Sequence, residues 1–475
     1  MVSAKGDGDE REARFREYVV RLDEVVGHLD RHEPLRAYVT GLCLDGKRKS
    51  IEPMAARVDP RNVSARHQSM HHFITRAPWD DGAVLRVARQ EVLGRMGRHG
   101  GIQAWVLDDT GIPKKGTHSV GVSRQYCGVL GKEENCQVAV SVSLTNEAVS
   151  VPATYRLYLP ESWAGDREKR EEVGVPDEVK FQKKWKIALD QIDWLRDEGV
   201  QEAPVVADAG YGNATEFRDE LTAREIVYVM GIQDRTTVWP PMSGPLPPAR
   251  YGGMGRVPTR LRRDEKHRPL EASALAKGLP DESWRKLKWR EGTRGAMSSR
   301  FAVVRVRAAH RDYNRREVRP EEWLLIEWPQ GEASPTKYWL STLPEDTSVE
   351  ELVRLAKIRW RIEQDYEELK DEFGLDHFEG RNWTGFHHHA TMCIAAYAFS
   401  AAERARFSPS EALAFLKAAP LPRGFKPRGS PATSRAARAL FDIHDADRIG
   451  QEPASVRELR LVRERTSGPV RFMTQ

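Results

Sequence analysis

Near the start of the chain, apolar residues recur at three- and four-residue steps. Phe15, Tyr18, Val19, Leu22, Val25, Val26 and Leu29 share one face of a helix over residues 11–29. A second helical stretch begins near Pro34, a residue suited to a first turn. Further helical patterns cover 51–58, 64–76 and 81–97, and no strand signal interrupts the first hundred residues. After Gly100-Gly101 the period changes. Ala104-Trp105-Val106-Leu107 is a short buried-strand run ending in Asp108-Asp109, Gln137 to Leu144 alternates as a strand does, and Ala153 to Leu159 supplies a third. Lys183 to Glu198 is amphipathic through Trp185, Leu189, Ile192 and Leu195. Val205-Val206-Ala207 is a strand ending at Asp208, and Ile226 to Ile232 is another. Three strands, a helix, a strand, a helix and a strand predict a mixed α/β sheet.

Residues 233–340 interrupt this pattern. The run from Trp239 to Pro248 holds five prolines and a glycine, which excludes helix and interior strand. Phe301 to Val306, Trp323 to Trp328 and Tyr338 to Leu340 then read as strands, so the insertion is loop-rich and afterwards β-rich. A strong helix is predicted from about Val349 to Phe373 and an apolar one from about His387 to Arg404. Residues 406–475 are rich in Arg, Pro and Ala, with two short helical patterns. The expected division is therefore 1–100 (helical), 101–232 (first part of the core), 233–340 (insertion), 341–405 (second part of the core) and 406–475 (tail).

Composition narrows the class. Of 475 residues 40% are hydrophobic and thirteen are Trp, too much apolar material for a disordered chain. The balance of 75 basic and 70 acidic residues gives +5, which permits nucleic acid as a partner but is too weak to indicate it. The most apolar run, Met392 to Ala402, is about half of the ~20 residues a membrane span needs. The first residues form no apolar signal region, so a cytoplasmic protein with no membrane partner is expected. Cys43, Cys127, Cys136 and Cys393 form no C-x-x-C pair, which argues against a disulfide scaffold or structural zinc.

The chemistry lies in carboxylates. Asp109 and Asp208 end apolar strands, where active sites of α/β sheets tend to form. Glu363 lies on a helical segment with Arg359 and Lys370, and the spacings of four and seven put all three within about 40° of arc. Three convergent carboxylates suit hard divalent ions, and two such ions about 4 Å apart can serve phosphodiester cleavage. Flanking cations would hold the polyanionic backbone. Strand-end aspartates also cap turns, and a helical Glu beside Arg is commonly solvated; spacing by itself does not choose between these readings.

The residues Asp109-Thr110-Gly111, Asp208-Ala209-Gly210-Tyr211-Gly212 and Arg359-Trp360-Arg361-Ile362-Glu363, with Lys370, resemble bacterial insertion-sequence transposases of the DDE superfamily. The similarity is to the cut-and-paste branch with a Tyr-x2-Arg-x3-Glu-x6-Lys signature and a β-rich insertion. Gly111 to Gly116, His118 to Val122, Arg124 to Gly128 and Leu157 to Trp163 are similar too, and the resemblance covers about residues 10–400. It implies an RNase H-like core in which Asp109, Asp208 and Glu363 bind two Mg²⁺ ions, with Mn²⁺ able to substitute. It implies backbone contacts by Arg359 and Lys370. It also implies a homodimer that binds the element's terminal inverted repeats, cleaves the ends and joins them to target DNA. The signature's Tyr position is Ala356 here, which bears on a backbone contact and not on metal chemistry. Asp109 is preferred to Asp108 because it directly precedes Thr110, and neighbouring strand residues face opposite ways. A domesticated DNA-binding protein without catalysis is the alternative, and the intact triad argues against it.

Further candidates carry simpler readings alongside. Lys114 and Lys115 follow the first aspartates on a glycine-flanked loop and suit either phosphate contact or solvation. Arg361 joins the DNA-facing set. His387-His388-His389 point about 100° apart on a helix and cannot chelate one ion. For each Trp of the insertion, core packing outweighs base stacking, and Gly210 and Gly212 read first as turn residues. Lys47, Arg48 and Lys49, with Arg57, Arg61, Arg66 and Arg76, give the N-terminal helices a basic character; the resemblance favours DNA binding there over a solvated face.

Overall fold

Helical periodicity in the N-terminal region becomes a bundle because each stripe has a partner to cover it. The computed structural model describes residues 4–292 and 295–406, so the C-terminal tail from 407 lies outside the described residues. The first helices are α1 (Ala4–Val26), α2 (His32–Cys43), α3 (Ile51–Val58), α4 (Val63–Thr75) and α5 (Asp81–Met96). From α1, Tyr18, Leu22 and Val26 are buried, and the Tyr18 hydroxyl donates to the Ala395 carbonyl at 2.9 Å.

The apolar run after Gly101 opens β1 (Ala104–Pro113), followed by β2 (Ser123–Cys127), β3 (Lys132–Thr145) and β4 (Ser150–Leu157). Next come α6 (Glu161–Ala164), α7 (Arg167–Val173), α8 (Lys184–Asp197), β5 (Val205–Ala207), α9 (Ala209–Gly212), α10 (Thr215–Ala223) and β6 (Tyr228–Ile232). The strands β4, β3 and β1 pair antiparallel, and β5 and β6 run parallel to β1. This is a mixed sheet consistent with an RNase H-like core.

The segment read from the sequence as an insertion forms β7 (Thr237–Trp239), β8 (Leu270–Glu271), α11 (Ala272–Lys277), β9 (Arg285–Gly292), β10 (Gly295–Ala308), β11 (Glu322–Trp328) and β12 (Lys337–Ser341). These strands do not form a separate sheet. β12 pairs antiparallel with β6, and the order runs β2-β3-β1-β5-β6-β12-β11-β10-β7-β8, with β4 beside β3 and β9 beside β10. Pairing with β12 covers what would be an open edge of the core at β6.

The predicted helix over 349–373 is two: α12 (Val349–Ile358) and α13 (Trp360–Asp371). Neither Gly nor Pro causes the break. Arg359 keeps helical angles, φ −55° and ψ −27°, while the Ile362 N–H bonds back to its carbonyl at 3.1 Å, a local tightening by one residue. The chain then reaches α14 (Trp383–Arg404), which is buried almost throughout and packs on α2, α4, α5 and β4. Among the described residues, no helix is long and apolar enough to cross a membrane.

Candidate active site

Trp105, Val106 and Leu107 are buried, and they carry β1 to Asp108 and Asp109. Strand alternation sends these two carboxylates to opposite faces. In the parallel pair β1·β5, Trp105 stands opposite Val205 and Val106 opposite Val206. Two further steps bring Asp108 level with Asp208. Asp208 caps α9, its Oδ1 accepting from the Gly210 N–H at 2.9 Å and the Tyr211 N–H at 3.3 Å. The turn fits because Gly212 has no side chain: a Cβ there would lie 1.9 Å from the Gly231 carbonyl oxygen.

The helix break supplies the third side of the site. Arg359 Nη1 donates to Asp108 Oδ2 at 2.6 Å, and Nη2 donates to Glu363. Asp109 instead meets the Lys184 ammonium of α8. The expected facing is therefore reversed: Asp108 points to the side of α13, and Asp109 to that of α8. The pairing strand agrees, because Ser141 stands opposite Asp108 and bonds the Tyr366 hydroxyl of α13. Asp108, Asp208 and Glu363 surround one guanidinium, whereas Asp109 lies across the strand from it.

Electrostatics follow from this crowding. Burial pushes the Asp108 carboxyl up to about 7, with Asp208 and Asp109 adding to the rise and Arg359 opposing it. Burial disfavours the Arg359 charge, but Asp108, Glu363 and Asp208 more than offset this and hold its pKa above the usual value. A cation among three carboxylates is the environment that suits a hard divalent ion. Among the described residues, no three His, Cys, Asp or Glu side chains are gathered closely enough to hold a metal as they stand. Arg359 is the group now holding Asp108 and Glu363.

The basic candidates differ in availability. Lys370 Nζ donates to the Gly111 carbonyl at 3.0 Å and Lys114 Nζ to the Phe378 carbonyl at 2.7 Å; burial lowers the pKa of both. Lys115 and Lys47 are exposed, while Arg48 pairs with Glu379. Arg361 stacks on Trp360 with its Cζ 4.5 Å from the ring centre, and Arg290 of β9 approaches the same ring at 4.1 Å.

The three consecutive histidines reach three different places, as their angular spread requires. His387 Nε2 accepts from the Leu157 N–H of β4, and His389 lies 2.7 Å from the Tyr38 hydroxyl and 2.9 Å from the Gly374 carbonyl. The ring nitrogens of His388 lie 3.0 Å from the Ile74 carbonyl and 3.1 Å from that of Trp79. Burial pushes His388 and His389 down to about 4.

Sequence reasoning passed over Asp108, Lys184, Ser141 and Tyr366. Trp105 to Leu107 are buried on both faces and so carry no phase for β1. The polar Ser141 and Ser143, alternating with Val140 and Val142 on β3, are the signal that marks which face is polar.

Over residues 21–296, more than half of its length, the chain matches the family described as DDE superfamily endonuclease. That span holds Asp108, Asp109 and Asp208 and stops before Glu363. The chain is also similar to the "Probable transposase for insertion sequence element IS701" of Microchaete diplosiphon, with 33% identity over 193 residues. The match covers 40% of this chain and 46% of that protein, so it spans about half the length of the relative.

Proposed function

Because the chain belongs to the DDE superfamily of endonucleases, we propose that it is a DNA transposase acting on the ends of its own insertion sequence. It binds the terminal inverted repeats as a homodimer, cleaves the phosphodiester at each end and joins the 3′-OH to target DNA. The observation that carries this reading is the level placement of Asp108 and Asp208 on parallel neighbours, with Glu363 tied to Asp108 through Arg359. Its substrate places the protein in the cytoplasm, with the nucleoid.

Endonucleases of this superfamily work with divalent metal ions, and the cluster around Arg359 fits a cation. In this reading Asp108, Asp208 and Glu363 would hold Mg²⁺, with Mn²⁺ able to substitute, and Asp109 braces β1 against α8 through Lys184. Divalent ions held there would supply activation of the attacking oxygen and stabilisation of the leaving oxygen. Arg359 sets the relative position of two carboxylates, and its charge would favour a scissile phosphate brought to them. Lys370, anchored on Gly111 next to the carboxylates, adds positive charge on the same helix. Water and then a 3′-OH are the nucleophiles, so no protein side chain bonds covalently to DNA.

The test uses the full chain with a plasmid carrying its gene and native flanks, with Mg²⁺ or with EDTA, and maps breaks at nucleotide resolution. Metal-dependent breaks confined to the flanks, and absent with Asp208→Asn, are expected. Specific binding without breaks under any metal condition would favour a DNA-binding protein that has lost catalysis.

A further inference from the structure

The basic turn that attracts attention in the sequence is largely committed to the fold. The Lys49 ammonium bonds the Leu42 carbonyl at 2.9 Å and also that of Leu44. Arg57 donates to the Arg48 carbonyl, Arg48 pairs with Glu379, and Arg66 pairs with Glu33 and Asp59. What remains open lies one helix further on. Between α3 and α4 stands a turn of four residues, Asp59-Pro60-Arg61-Asn62, a length that a helix-turn-helix connection takes. Residues 60–79 contain no acidic side chain.

The two faces of α4 are cleanly separated. Met70, Phe73 and Ile74 are buried, whereas Ser64, Gln68, His71 and His72 are exposed and, with half-buried Thr75, fall within about 100° of arc on the other side. Arg61 just before the helix and Arg76 just after it are also exposed. The inner end of α4 is held firmly: Asn382 Nδ2 donates to the Thr75 carbonyl at 2.8 Å, and His388 lies at the Ile74 carbonyl. The helix thus presents an amide, a hydroxyl and imidazoles, flanked by guanidinium groups and with no carboxylate of its own, although Asp30 lines the same cavity as His72.

We propose that α4 is the sequence-reading helix of this protein, entering the major groove of duplex DNA with Gln68, His71 and His72 toward the base edges and Arg61 and Arg76 toward the phosphates. The groove admits one α-helix, and glutamine pairs in bidentate fashion with adenine there. The charge pattern selects a polyanion, and the ordered amide-imidazole face selects base edges over bare backbone. The inference rests on the transposase reading, since it supplies the recognition of DNA ends that reading requires.

The test is selection from a randomised duplex library by the full chain in EDTA, followed by affinity and salt-dependence measurements on the enriched sequence. Wild type is expected to enrich one motif. Gln68→Ala should bind that motif about tenfold more weakly and lose preference at one position while keeping its affinity for random DNA. Arg76→Ala should bind all sequences more weakly, with the salt slope reduced by about one. All these side chains are exposed, and matching thermal melts verify that the variants fold. An unchanged motif and affinity in the double variant Gln68→Ala/His72→Ala would overturn the assignment to α4 and leave the transposase reading intact. Enrichment of no motif by wild type would overturn both the assignment and the end-binding part of that reading, whatever the cleavage assay returns.

Discussion

Replacing either of the adjacent aspartates with asparagine separates a buried, crowded carboxylate from an ordinary half-exposed one. The Asp108 carboxyl has its pKa raised from 3.8 to about 7. A folded-state value above the unfolded one means that the folded protein binds this proton more tightly. The associated stability is fully present below about pH 4 and lost as pH rises through 7. Well above pH 7 the loss corresponds to about 4 kcal/mol. The neutral amide introduced by Asp108→Asn stands in for the protonated acid and avoids this loss; the attraction of Arg359 is already contained in the raised value, so a gain on the order of 4 kcal/mol is expected at pH 9, falling to about 1–2 kcal/mol at pH 5. Asp109→Asn should behave differently. Its pair with Lys184 leaves the two side chains 29% and 34% exposed, and removing such a pair costs about 0–1 kcal/mol. Thermal melts in EDTA between pH 5 and 9 read both effects on stability; cleavage of flank-bearing plasmid in Mg²⁺ reads the effect on the chemistry. Asp108→Asn should be more stable at high pH yet, on the proposed reading, cleave on the order of a hundredfold more slowly, because it removes an oxygen that would hold the metal. Asp109→Asn should keep most of its cleavage. Loss of cleavage in Asp109→Asn alone, or a melting difference for Asp108→Asn that is flat with pH, would refute the facing assigned to these residues.

Glu363→Gln should retain binding to the element ends and lose cleavage, and full activity in that variant would take Glu363 out of the chemistry. Gly212→Ala places a Cβ 1.9 Å from the Gly231 carbonyl; the turn that carries Asp208 must move, and chemical denaturation should show a loss of more than about 2 kcal/mol. Lys357 Nζ bonds Glu327 Oε2 at 2.6 Å, with both side chains nearly buried. Lys357→Met therefore leaves a buried unpaired carboxylate and should cost about 3–5 kcal/mol, of which Glu327→Gln in the same chain recovers a large part. Equal melting of the single and double variants would show that the pair is not coupled.

The parts of this site that the chain displays most openly are those with a boundary in hydrophobicity. Val205 to Ala207 are bounded on one side by a proline and on the other by Asp208, so both strand and strand end could be read. β1 offered no such cue, since residues buried on both faces look alike in either phase. The break at Arg359 was hidden as well: the segment has good helix formers throughout, and the partner that Arg359 meets outside its own helix, Asp108, is remote in sequence. Lys49, Arg66 and Lys114 illustrate a further limit. In sequence they look like free positive charge, yet Lys49 and Lys114 donate to backbone carbonyls, and Arg66 meets acids contributed by α2 and by the turn before α4. β9 escaped notice because its apolar positions, Leu287 and Trp289, are few among charged neighbours.

Helix α14 has a consequence that extends to the DNA. At one turn it grips β4 of the sheet through His387, and at the next residue it grips the inner end of α4 through His388. Both attachments are to backbone, so neither slides when side chains repack. If base pairs are read at α4 and a phosphate is presented to Asp108 and Asp208, as proposed, the two are separated by a fixed span of protein within one chain, and α14 would act as a ruler. Every end cut by this protein should be cut at one constant offset from the sequence it reads. Moving the motif by one base pair should move the break by one base pair with it.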